Sequence, residues 1–276
     1  MIPVGEKLFF SSRATSILVD ICRLAPRPEV LLPSLYCADV SEAMEKAGLK
    51  CRCYDVPADL SDVSAAINSA YDRKIGAIVV LHPFGLSRPP RNLLKFENTF
   101  VIEDACHALR TAYENPAIGS VGNLTVFSPR KELGWLEGGI ASGGLAGKLL
   151  KTSASSTTVS RSWGNLNLES IALKGRKATK LAIEKLANFL PPVNEKDTLT
   201  ALPLKSAKRD EVISKLRSDN IFAWRWIKPL KNTGKRLTPQ SFELRKQLFL
   251  VPLPVEGPNI EKVLEQLIEL PLELWR

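Results

Sequence analysis

Two stretches of the sequence gather side chains that can do chemistry. VIEDACHAL (residues 101–109) carries an apolar run into Glu103, Asp104, Cys106 and His107, and FSPRKELGWLEGG (127–139) carries another into Ser128, Arg130 and Lys131, ahead of Glu137, Gly138 and Gly139. If both runs are strands of an open α/β sheet, the residues just past their carboxyl ends lie at the edge where such sheets bind ligands. An acid, a histidine, a hydroxyl and an amine then converge on one edge, and these are residue types that exchange protons with a ligand. Taken singly, each has an ordinary explanation: Asp104 as a helix cap, His107 as a satisfied core histidine, Lys131 as one of many surface lysines.

The elements that must position them are legible as a pattern. PEVLLPS (28–34) reads as a buried strand, and Ala38 to Gly48 reads as a helix with Val40, Ala43, Met44 and Ala47 on one face and Gly48 as its stop. CRCYDV (51–56) is a second strand, and Ser61 or Asp62 can cap a helix in LSDVSAAINSAYD. IGAIVVLHPFG (75–85), FVIED (100–104) and LTVFS (124–128) complete the set. Continuous apolar strands separated by helices indicate a mostly parallel sheet covered on both faces. The stretch 143–165 is rich in Gly, Ser and Thr and reads as a loop or linker. Beyond it come a helix near 174–190, LTALPLK, a helix from Ala207 to Ser218, the strand IFAWRWI, QLFLVPLP and a terminal helix near 258–270. The expected organisation is an α/β domain over residues 1–155 and a small α+β domain over 156–276.

Composition narrows the class. With 276 residues, 45% hydrophobic and 24% charged, the chain is an ordinary globular mix, which excludes collagen-like, coiled-coil and fully disordered readings. No apolar run approaches the ~20 residues of a membrane span, and MIPVGEKLFF lacks the pattern of a secretory signal, so a cytoplasmic protein is expected. Five cysteines, with only His82 and His107 beside them, fit neither a disulfide framework nor a metal spacing; reduced, mostly buried thiols are expected. The first 150 residues hold 16 of the 38 Lys and Arg and 16 of the 29 Asp and Glu, so the net charge of +9 arises entirely after residue 150. Such an excess is a solvated basic face or a surface suited to phosphorylated or nucleotide-linked substrates. Nucleic acid is not expected, since there is no zinc finger, RNP-like pattern or basic tail.

Read in order, VLLPSLYCADVSEAMEKAGLKCRCYDV, AIVVLHPFG, VIEDACHAL and GSVGNLTVFSPRKELGWLEGG resemble the DegT/DnrJ/EryC1/StrS family of fold-type-I pyridoxal-phosphate enzymes, largely sugar aminotransferases. SSRATSI is similar to that family's phosphate-loop segment, and ALPLKSAKRDEVISKLRSDNIFAWRWIKPL and QLFLVPLPVEGPNIEKVLEQLIEL resemble its small-domain and closing segments. The resemblance implies an aspartate-aminotransferase fold with pyridoxal 5'-phosphate as cofactor. It places Lys131 at the Schiff-base lysine, an amine that must lose a proton to attack an aldehyde. It places Asp104 at the acid that pairs with the pyridinium nitrogen, His107 near the ring hydroxyl, and Ser128 with Ser12, Arg13 and Ala14 at the phosphate, the latter three at a helix N-terminus. Tyr36 is a candidate for the aromatic over the ring, although Cys37 falls at the stacking position. The turn between FS and the lysine is shorter than the family's usual one.

The activity implied is transfer of an amino group from an amino acid to a keto sugar, possibly nucleotide-linked, by a homodimer that acts on small molecules and not at a membrane. Another pyridoxal-phosphate reaction such as dehydration, or a shortened non-catalytic binding protein, are the alternatives. A dehydratase variant of the family has histidine in place of the lysine, so Lys131 argues against it. In SRSWGNLNLES, Arg161, Asn165, Asn167 and Trp163 are candidates for a subunit junction.

Overall fold

The seven-residue strand Ile75–Leu81 is buried at every position, which explains its unbroken apolar sequence. Ala77, Val79 and Leu81 pack on one face of the sheet with Ile17, Leu18, Ile21, Val40 and Met44, while Ile78 and Val80 pack on the other with Ile67, Ala178, Ala182 and Leu186. Alternate side chains thus enter two separate cores, as a sheet covered on both faces requires. The computed structural model in which this is seen describes residues 8–94, 96–133, 138–153, 167–226, 239–253 and 260–275.

Seven strands form the large sheet: β1 (Leu8–Ser11), β2 (Glu29–Pro33), β3 (Lys50–Tyr54), β4 (Ile75–Leu81), β5 (Phe100–Asp104), β6 (Leu124–Phe127) and β7 (Gly139–Ser142). Their spatial order is β1-β7-β6-β5-β4-β2-β3. The run β6-β5-β4-β2-β3 is parallel, and β7 lies antiparallel to both β6 and β1. The expected mostly parallel sheet is therefore present, with an additional antiparallel edge. Helices α1 (Ala14–Arg23) and α2 (Ala38–Lys46) cover one face, with Ile17, Leu18, Ile21 and Met44 turned inward. Between β3 and β4, α3 (Ser64–Ala70) begins where Asp62 Oδ1 accepts the Ser64 amide at 2.9 Å, so Asp62 rather than Ser61 holds that end.

A second, three-stranded antiparallel sheet is built from β8 (Ala201–Lys205), β9 (Trp224–Arg225) and β10 (Leu248–Pro252), in the order β8-β10-β9. Leu202, Leu204, Phe249 and Val251 from this sheet join the core cluster that also holds Leu31, Ile78 and Val80 of the large one. The helix expected near 174–190 starts earlier, at Leu168, because the Asn167 side chain accepts the Ser170 amide at 3.0 Å and caps it. Two expectations need correction. The Gly/Ser-rich stretch after residue 143 is not all loop: Ala146–Thr152 is helical, seated by buried Ala146 and Leu149. Among the described residues of IFAWRWI, Trp224–Arg225 alone form a strand, pairing with β10. The expected boundary at 155/156, and with it Arg161, Trp163 and Asn165, lies outside the described residues.

Candidate active site

The carboxyl ends of β5 and β6 are set by register. Asp104, the last residue of β5, stands opposite Leu81 on β4 and Val126 on β6. Beyond β6 the chain turns at once: Lys131 N donates to Ser128 O at 3.1 Å, and the short helix Arg130–Leu133 follows. That compact turn carries Lys131 back over the strand ends, where its Nζ lies 2.7 Å from His107 Nε2. The brevity of FSPRK therefore does not keep the lysine from the acid's edge.

All eight sequence-predicted residues, Ser12, Arg13, Ala14, Tyr36, Asp104, His107, Ser128 and Lys131, line one cavity of about 360 Å³. At one side stands the N-terminus of α1. Its N-cap, Arg13, is extended and makes no side-chain cap; Ser16 N donates to Arg13 O at 3.2 Å, while Ala14 and Thr15, which open the helix, line the cavity where such an end can bind an anion. The glycines of LEGG make this approach possible. Gly138 takes a positive φ of 118°, and a Cβ on Gly139 would stand 2.4 Å from Ala14 Cα and 2.5 Å from Ala14 N. Strand β7 can carry the helix start against the cavity only with glycine there.

Electrostatics divide the site. Asp104 accepts the Tyr36 hydroxyl at Oδ2 (2.7 Å) and the Cys106 amide at Oδ1 (3.0 Å). Burial, and then the neighbouring Asp104, push the Tyr36 phenol well above its ordinary range, so it remains a donor. Burial and the nearby Lys131 hold His107 well below the usual histidine value. Both causes disfavour the imidazolium form, and Nε2 faces the lysine nitrogen at 2.7 Å. Burial raises the Cys106 thiol, which contacts Val126 O and remains an inert wall. Tyr36 thus touches the acid through its hydroxyl, a role distinct from the stacking considered for it.

Several residues of the site were not legible as such. Trp226 lines the cavity from the end of β9, 5.4 Å from the His107 ring and 4.7 Å from Phe84, both edge to face. Phe84 holds a left-handed backbone, φ 57°, an uncommon state for a bulky residue, and is completely buried in that packing. Arg130 lines the cavity and is exposed, as are Ser12, Arg13 and Lys131. Glu132, directly after Lys131, is buried; it accepts the Leu109 amide, the Arg110 amide (2.9 Å) and Arg110 Nε (3.1 Å). It thereby ties the lysine's short helix to the helix Leu109–Glu114 that follows His107. A second buried acid, Glu103, accepts His82 Nε2 at 2.9 Å and the amides of Gly119, Val121 and Gly122, and it faces away from this cavity's lining. Among the described residues no cluster of three or more His, Cys, Asp or Glu could hold a metal ion.

Residues 11–143 match the model of the DegT/DnrJ/EryC1/StrS aminotransferase family. Among solved structures, the chain is similar to the aminotransferase TlmJ from Streptoalloteichus hindustanus (17% identity, 96% of this chain and 86% of that one, TM-score 0.76). It is likewise similar to the sugar aminotransferase CalS13 from Micromonospora echinospora (16% identity, 96% and 87%, TM-score 0.72). A third is NtdA from Bacillus subtilis, solved with bound cofactor PMP (16% identity, 96% and 72%, TM-score 0.72). These likenesses establish the fold as that of the aminotransferases.

Proposed function

We propose that this chain, whose residues 11–143 match the DegT/DnrJ/EryC1/StrS aminotransferase family, is a pyridoxal-phosphate-dependent aminotransferase that moves an amino group from an amino acid to a keto sugar. The observation that carries the reading is one cavity holding Lys131 Nζ 2.7 Å from His107, the Asp104 carboxylate, and a helix N-terminus without a side-chain cap. Its donor set fits a molecule bearing an aldehyde, a ring nitrogen and a phosphate, and its volume of about 360 Å³ lies within the range of small-molecule sites. When bound, pyridoxal phosphate supplies an aldehyde that links to amines and a ring that takes up electrons.

The chain's own residues do the rest. Lys131 Nζ would hold the cofactor and, once released, would move a proton between substrate and cofactor carbons. His107 Nε2, 2.7 Å away, would orient that nitrogen. Asp104 would face the ring nitrogen, while Ser128 and the start of α1 would receive the phosphate. Arg13 and Arg130, exposed at the rim, together with the basic excess after residue 150, favour an anionic, nucleotide-linked substrate. CalS13, similar in fold, is a sugar aminotransferase, which supports a keto sugar as the acceptor. The five free cysteines fit work in the reducing cytoplasm. Among the described residues, Ser12, Arg13, Arg130 and Lys131 are exposed at the cavity, which supports a two-fold homodimer closing it.

The test is chemical. Protein incubated with pyridoxal phosphate and reduced with borohydride should carry the cofactor on Lys131 in a peptide map, and glutamate added before reduction should prevent the labelling. Labelling spread over surface lysines would remove the assignment. Sedimentation at micromolar protein should give a dimer; a monomer that still forms the Lys131 adduct would remove the two-fold closure alone.

A further inference from the structure

The acid of the site is held from two directions. Asp104 Oδ1 takes the amide of Cys106 from the turn after β5, and Oδ2 takes the hydroxyl of Tyr36 from the loop after β2. A carboxylate has about four lone-pair directions; these two donors stop it from turning about its last torsion and leave the others free. Tyr36 is 1% exposed, so its ring is fixed by packing as well.

The three residues Ser34 to Tyr36 are gripped more firmly than a strand end needs. Ser34 Oγ accepts the Val56 amide at 3.1 Å and meets Ser241 Oγ at 2.8 Å. The Arg245 guanidinium donates to the Ser34 carbonyl, and Trp226 Nε1 donates to the Leu35 carbonyl at 3.3 Å. Ser34 N also donates to Tyr54 O at 2.7 Å, so all three polar groups of Ser34 and the Leu35 carbonyl are engaged, three of the contacts coming from residues beyond 225. A side chain needed only to fill the core would not require its hydroxyl aimed at an acid or its backbone locked from both halves of the chain.

We propose that Tyr36 is a positioning residue that acts through Asp104: its hydroxyl fixes the carboxylate in the orientation in which Asp104 meets the ring nitrogen of the cofactor. The inference rests on the cofactor reading above. It separates two jobs that one aromatic residue could hold at this position, since a phenol engaged with Asp104 serves the nitrogen and a ring stacked on the cofactor would serve the whole face. The buried phenol stays protonated beside the anion, so it donates across the working pH range.

The two jobs are distinguished by a cofactor without the nitrogen. Affinity for pyridoxal phosphate and for its 1-deaza analogue, in which C–H replaces the ring nitrogen, is measured by equilibrium dialysis on wild type, Tyr36→Phe, Asp104→Asn and the double variant. Phenylalanine keeps the ring and its packing, and apo melting curves confirm that each variant folds. Tyr36→Phe should weaken pyridoxal phosphate about five- to tenfold, the scale of one ordinary intramolecular hydrogen bond, and leave the deaza analogue unchanged. In the Asp104→Asn background it should add nothing further. Equal weakening for both ligands, or an undiminished effect in that background, overturns the positioning role and leaves the cofactor reading standing. A wild type that binds neither ligand overturns both.

Discussion

Glu132 offers a severe test of how the lysine is held. Its carboxylate caps the helix Leu109–Glu114 through the amides of Leu109 and Arg110 and pairs with Arg110 Nε at 3.1 Å, with side-chain exposures of 2% for Arg110 and 0% for Glu132. Arg110 spends Nη2 on Leu199 O at 2.9 Å, and its Nη1 has no partner among the described residues. In Glu132→Ala two amides lose their acceptor, at about 1 kcal/mol each, and a buried guanidinium loses its counter-ion. Breaking such a pair from one side costs about 3–5 kcal/mol in all. At about 2–4 °C per kcal/mol the melting temperature should fall by about 6–20 °C. Glu132→Gln keeps the shape and one acceptor and should fall less. The double variant Arg110→Met/Glu132→Met removes both charges, so only the lost caps remain and it should melt well above Glu132→Ala. Scanning calorimetry on the apoproteins reads all three. A Glu132→Ala protein within about 2 °C of wild type, or a double variant no better than that single one, would refute the account of the pair as a buried anchor.

Two further substitutions test the walls of the site. Gly139→Ala places a methyl group 2.4 Å from Ala14 Cα, where only backbone can give way; the helix start must shift, at about 1–3 kcal/mol, and dialysis should show affinity for pyridoxal phosphate falling at least as much as in Tyr36→Phe. His107 has a folded-state value depressed below 6.5 by burial and Lys131, so its contribution is whole above pH 6.5 and is lost as pH falls from there towards the folded value, where the unfolded chain binds the extra proton. His107→Gln should flatten that part of the stability–pH curve, measured by urea titration between pH 7 and pH 5; an unchanged slope would exclude the histidine as its source.

What could be read in advance, and what could not, follows from the range of each signal. Val79 and Val80 announce a doubly covered strand because period-two burial on both faces leaves no polar position, and Asp104 and Lys131 announce an edge because chemistry interrupts apolar runs at their ends. Strands β1 and β7 have four residues each, too few for any period, and exist because each completes the other's ladder. Glu132 reads as one more charge beside a lysine, and only the adjacency of β5 and β6 brings it to amides more than twenty positions away. Trp226 is the most distant case: it alternates inward from a two-residue strand, and its place at His107 depends on how β10 seats that strand.

Glu132 and Trp226, which the sequence did not nominate, share with Tyr36, which it nominated for a different role, a physical property that the other foreseen residues lack. Asp104, Lys131 and Ser128 are chemical groups whose identity matters wherever the backbone delivers them, so type and strand position suffice to nominate them. Tyr36, Glu132 and Trp226 act through another residue: on Asp104, on the helix after His107, and on the Leu35 carbonyl. Their value lies in a direction and a distance, at 2.7, 2.9 and 3.3 Å respectively, and neither quantity has a one-dimensional signature. A chain can therefore state its reactive groups plainly while the groups that aim them stay hidden until the strands are paired. In a site that must hold an amine, an acid and an anion donor in register, the aiming groups are where a neutral-looking substitution such as Tyr36→Phe should reveal most about function.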